Sequence, residues 1–90
     1  MTADSVPRLA RGCRLAEDRE HGPVLLIPEG VLRLSGPGPE ILRRCDGSRN
    51  FAQIVGELAG QFGSASTDRI EAETAAFLER LRDRRIIVVE

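Results

Sequence analysis

Residues Ser35-Gly36-Pro37-Gly38-Pro39 divide this chain into two halves of different periodicity, and that division constrains the fold more than any other feature. Three non-proline positions interleaved with two prolines can continue neither a helix nor a strand. Before the block lie short apolar runs of strand length. After it, apolar residues recur at helical spacing. A chain whose strands and helices are segregated in this way is α+β.

In the first half, Val24-Leu25-Leu26-Ile27 is bounded by Pro23 and Pro28, and its length suits a strand better than a helix. Pro28-Glu29-Gly30 fits a tight turn, because proline fixes φ and glycine accepts positive φ. Val31-Leu32-Arg33-Leu34 follows as a second strand, so the two runs around the turn predict a hairpin. Upstream, Cys13 to Asp18 predicts a further short strand, with Cys13 and Leu15 as inward candidates. Asp18 to Pro23 is polar and ends in Gly-Pro, a turn signal, with His21 read as a solvated loop residue. Residues 1–8 read as a flexible N-terminal tail, and 9–90 as a single domain.

In the second half, Pro39 suits the first turn of a helix running from Glu40 to Cys45, with Ile41 and Leu42 inward and Asp46-Gly47 as its stop. Phe51, Ile54, Val55, Leu58 and Phe62 then form a helical stripe, with Ser48 as the expected cap and Gly63 at the far end. Ser64-Ala65-Ser66 reads as a linker and Thr67 as the cap of a third helix reaching about Arg84. Its stripe is Ile70, Thr74, Phe77, Leu78 and Leu81. Acids lie early and arginines late, which complements the helix dipole. Ile86-Ile87-Val88-Val89 is β-branched, and forms either a small closing strand or an apolar end packed on the core.

Charge and cysteine content exclude several functions. Net charge is −1, so there is no basic excess to grip nucleic acid or an anionic membrane. All 13 basic residues are arginine, a chain-wide pattern better explained by a GC-rich genome than by a site. Cys13 and Cys45 stand apart, and with one histidine no metal-ligand spacing exists, so neither a metal nor another cofactor is expected. No signal peptide or membrane span is visible, and the expected location is cytoplasmic.

The residues offer little for catalysis. Ser35 and Ser48 have no histidine at motif spacing, and Glu29 and Asp46 sit in turns. Gly36-Pro37-Gly38-Pro39 lacks the setting of a phosphate loop and reads as a stiff connector. One feature does point outward. A sheet of two or three strands has edges with unpaired N–H and C=O groups. If Val31–Leu34 lies at an edge with the third helix alongside, an extended peptide can add there as a further strand.

Several segments together resemble one family. They are Pro7-Arg8-Leu9 with Gly12, Leu25-Leu26-Ile27-Pro28-Glu29-Gly30, Leu32 with Leu34, and Glu40-Ile41-Leu42 before Cys45-Asp46-Gly47-Ser48-Arg49. Ile54 with Leu58, and Phe77-Leu78 with Leu81 before an apolar end, complete the set. In this order they resemble the PqqD family of pyrroloquinoline quinone (PQQ) biosynthesis, and more broadly the recognition domains of ribosomal-peptide modifying enzymes. The chain departs from the family at Ser35–Pro39, where Leu-Asn and small residues are usual, and near Arg85, where glycine is usual.

The resemblance implies a winged-helix-like fold, with a small antiparallel sheet of two or three strands followed by three helices. It implies a non-catalytic peptide chaperone that binds the precursor peptide PqqA by strand addition and presents it to the radical S-adenosylmethionine enzyme PqqE. Carried onto this chain, the binding strand is Val31, Leu32, Arg33, Leu34 and Ser35. The expected helix flank is Glu71, Ala75, Leu78 and Arg82, with Glu73, Ala76 and Arg80 as the alternative flank. Two other readings stay open: a winged-helix DNA-binding module, disfavoured by the mixed charge of the third helix, and an assembly domain that forms a homodimer through its sheet edges.

Overall fold

The computed structural model describes residues 1–63 and 66–90. Its elements in chain order are β1 (Pro7–Leu9), β2 (Arg14–Asp18), β3 (Gly22–Ile27), β4 (Gly30–Arg33), α1 (Gly38–Arg43), α2 (Phe51–Gln61), α3 (Thr67–Asp83) and β5 (Ile87–Val89). The architecture is α+β, as the divided periodicity predicts. The Ser64-Ala65 part of the expected linker lies outside the described residues.

Strands β2, β3 and β4 form an antiparallel meander in that spatial order. Leu15, Leu25 and Leu32 stand opposite one another across it. Side chains alternate between the faces of a strand, so this row belongs to one face. Leu25 is fully buried, and Leu15 and Leu32 pack against the same core. The helices close over that face with Ile41 and Leu42 from α1, Ile54 and Leu58 from α2, and Ile70, Leu78 and Leu81 from α3.

Residues 1–8 are not a free tail in this structure. Pro7 and Arg8 belong to β1, which pairs antiparallel with β5 (Pro7 opposite Val89, Leu9 opposite Ile87). The first turn of a helix leaves N–H groups without partners. Here Phe51 and Ala52, at the start of α2, donate to the carbonyls of Ser5 (2.7 Å) and Ala3 (3.1 Å). The N-terminal segment thus completes the end of α2, which is a physical reason for it to lie on the body. The apolar C-terminal run is the closing strand.

The helix caps differ from expectation by a residue or two. Ser48 does not cap α2, because its backbone N–H and hydroxyl both bond to the Asp46 carboxylate. Asn50 caps instead, in a reciprocal box with Gln53. Ser66 caps α3 through the N–H of Arg69, and Thr67 is already helical. On the α1–α2 side, Arg44 bridges Glu40, Glu57 and Gln61, and Arg49 joins Glu57 to Asp46. Arg44 donation holds the Glu40 carboxyl below its usual range.

At the end of α3 the chain reverses through a Schellman motif. Ile86 N–H donates to the Leu81 carbonyl and Arg85 N–H to that of Arg82. Ile86 and Leu81 are both buried, the apolar contact that goes with this motif. The reversal requires a left-handed residue, and Arg85 takes it at φ 63°. A side chain there costs about 1 kcal/mol relative to glycine. The Arg85→Gly variant is therefore expected to be more stable by about 1 kcal/mol, read from the midpoint of urea unfolding.

Candidate functional site

Among the described residues, strand β4 is an edge, with β3 on one side and no strand on the other. The hydrogen-bond phase decides which of its backbone groups are free. Leu34 N–H donates to the Pro23 carbonyl at 3.3 Å, and Leu32 stands opposite Leu25 in the same phase. In an antiparallel ladder the intervening residues point their N–H and C=O the other way. Val31 and Arg33 therefore direct their backbone groups outward. Among the described residues, neither takes part in a backbone bond outside the sheet. Val31 is 57% exposed.

Beyond this edge a cavity of about 870 Å³ opens between the end of β4, the connector and α3. Its apolar lining comes from Leu34, Ile41, Leu58, Phe62, Ile70 and Phe77. Its polar lining includes Arg33, Ser35, Arg69, Glu73 and Arg80. The connector is a wall of this groove and not merely a spacer. Gly38 is buried, and a Cβ built on it stands 3.4 Å from the Phe77 ring and 4.0 Å from Leu34. The connector thus runs at van der Waals distance from the Phe77 ring of α3.

The structure brings Arg33, Leu34 and Ser35 together with the alternative flank, Glu73, Ala76 and Arg80. It does not bring Glu71, Ala75, Leu78 or Arg82 to the groove. Leu78 is fully buried beside Ile70, Thr74 and Leu81, so its side chain faces the core. Glu71, Ala75 and Arg82 lie on the far side of that buried stripe. Both flanks adjoin the core stripe, and periodicity alone does not distinguish them. The signal that does is Phe77, a partly exposed aromatic on the groove side of the stripe.

His21 is also more than a solvated loop residue. Its Nδ1 lies 2.8 Å from Asp18 Oδ2, and its Nε2 lies 3.0 Å from Arg33 Nη2. A guanidinium only donates, so Nε2 accepts and the neutral ring carries its proton on Nδ1. That proton is donated to Asp18 and holds the Asp18 carboxyl below its usual range. The turn before β3 thereby steadies the arginine of the edge strand.

Cys45 is buried and its thiol donates to the Ile41 carbonyl. Burial pushes that thiol up to about 12, which makes it a packing residue. Among the described residues, no group of three or more His, Cys, Asp or Glu could hold a metal ion. No described helix is long and apolar enough to cross a membrane. What the site offers is a hydrogen-bonding edge, an apolar trough and three arginines, one of them paired with Glu73.

The model of the family described as coenzyme PQQ synthesis protein D (PqqD) matches residues 22–87, most of the chain. The chain belongs to the PqqD family. A relative from Xanthomonas axonopodis pv. citri, named PqqA binding protein, is 39% identical over 88 residues, which cover 97% of this chain and 95% of the relative. The protein of the same name from Pseudomonas aeruginosa is 42% identical over 77 residues, covering 84% and 82%. Among solved structures, the PqqD truncation of Methylobacterium extorquens PqqCD superposes with a TM-score of 0.81 at 32% identity, covering 98% of this chain and 94% of that one. It is described as a functional and stand-alone recognition element for ribosomally synthesized and post-translationally modified peptides. PqqD from Xanthomonas campestris gives a TM-score of 0.58 at 34% identity, with 96% of each chain covered. The α+β fold of this chain is that of PqqD structures.

Proposed function

We propose that this chain is a non-catalytic chaperone of PQQ synthesis, which takes up the peptide PqqA as an added strand along β4 and delivers it to the radical enzyme PqqE. The observation that carries this reading is the outward backbone of Val31 and Arg33 beside an apolar groove. PqqD relatives are named for binding PqqA, which supplies the guest.

The energetics suit a handover. Two outward residues offer two donors and two acceptors, each bond worth ~1 kcal/mol net. Backbone pairing therefore offers about 4 kcal/mol, which offsets part of the freedom lost when an unstructured peptide is docked and ordered. One large apolar side chain on the floor formed by Leu34 and Phe77 adds about 2 kcal/mol. Contacts of this size make for reversible binding, which still raises the peptide's effective concentration at the enzyme.

The test is titration of ¹⁵N-labelled protein with PqqA, followed by the same titration in the presence of PqqE. Shifts are expected at residues 31–38 and along Glu73, Ala76, Phe77 and Arg80, with a further set when PqqE is added. Binding that leaves β4 and this flank unshifted overturns the groove assignment. No binding at millimolar peptide overturns the function.

A further inference from the structure

The groove's charge indicates what kind of side chain it accepts. The protein as a whole carries a net charge of −1, yet three of the groove's lining residues are arginines and one is a glutamate. Arg69 is already paired with Glu73, at 3.1 Å. Arg33 and Arg80 have no carboxylate partner among the described residues. Arg33 instead donates to the His21 ring, which links it to the Asp18 carboxylate, so Arg80 is the less committed of the two cations.

We propose that the groove selects a carboxylate in the guest peptide, received by Arg80 of α3 with Arg33 of the edge strand as the second cation. This deepens the peptide-binding reading and rests on it. A guanidinium presents a planar fork of donors that matches a carboxylate, and such charge-assisted bonds are stronger than neutral ones. The side chains of a strand lying along β4 alternate between its two faces. An acidic residue at one position and an apolar residue two positions away then face the same side, one toward Arg80 and one toward Phe77, while Arg33, which alternates with Leu32 and Leu34 along β4, adds its charge from the other face of the strand. His21 is a positioning residue in this scheme. It steadies Arg33 through Asp18, with no contact to the guest required.

The decisive measurement is the affinity of PqqA, and of PqqA peptides with each Glu or Asp changed in turn to its amide. Each is titrated calorimetrically into the native protein, Arg80→Gln, Arg33→Gln and the control Arg82→Gln. One amide substitution is expected to weaken binding to the native protein about tenfold. It is expected to weaken binding to Arg80→Gln far less, the non-additivity that marks a direct pair. Raising the salt concentration narrows the difference. Arg82→Gln removes the same charge from the same helix outside the groove, and is expected to bind as the native protein does.

Three results overturn the proposal. Equal affinities for all the amide peptides do so while leaving peptide binding intact. So does equal weakening by Arg80→Gln and Arg82→Gln, which reduces the effect to overall charge. Failure of PqqA itself to bind removes the carboxylate pocket together with the peptide-binding reading.

Discussion

Replacing Arg33 by proline is expected to weaken PqqA binding by at least about tenfold while shifting the melting temperature by no more than about 5 °C. The Arg33 N–H points away from β3, so proline there removes a donor that the sheet does not use. Proline is tolerated on the outer side of an edge strand, and the extended Leu32 before it already has the backbone that proline demands of its neighbour. The guest loses one backbone bond and meets the ring where it is meant to lie. Arg33→Gln keeps the N–H, and so separates loss of the bond from loss of the charge. Proline at Leu32 is the opposite case. It breaks the pairing with Leu25 at the centre of the core face and is expected to cost roughly 3 kcal/mol or more of stability. Calorimetry and thermal melts on the three variants check the set. Unchanged affinity in Arg33→Pro would show that the guest does not pair along β4.

The second large effect falls on stability. Leu78→Ala is expected to destabilise the fold by 2–5 kcal/mol on the general scale for a buried leucine, and here toward the upper end, since Leu78 is fully buried under the middle of α3. A domain of this length has roughly 5–13 kcal/mol in total, so the loss is a large fraction of it. Urea denaturation measures it directly. Peptide affinity should fall only in proportion to the unfolded fraction, because Leu78 faces the core and not the groove. Arg82→Ala should change stability by no more than about 0.5 kcal/mol.

Leu78 also illustrates what could and could not be read from sequence. The α2 stripe and the hairpin around Pro28-Glu29-Gly30 were legible because neighbours in sequence determine them. The β4 edge followed from the small number of strands. Which side of α3 faces the groove was not legible, since that depends on how α3 rotates against the connector, and the deciding contact joins Gly38 to Phe77 across the fold. The resemblance to a family points to a strand and a helix but does not choose between the flanks. Pairing of β1 with β5 was hidden for a similar reason. Three residues such as Pro7-Arg8-Leu9 have no period to reveal, and their partner lies at the other end of the domain. Ser48 is a local error of another sort. A good capping residue was diverted by Asp46, two positions away, and Asn50 took its place.

The joining of β1 to β5 has a consequence for how the domain is made. Arg8 and Glu90, bonded at 2.9 Å, are 82 positions apart, so translation produces the two sides of this small sheet a whole domain's length apart. On the ribosome the hairpin and the first helices can collapse while β1 still waits for its mate. The clasp shuts last, and until it does the nascent domain exposes a strand margin that the finished molecule keeps covered.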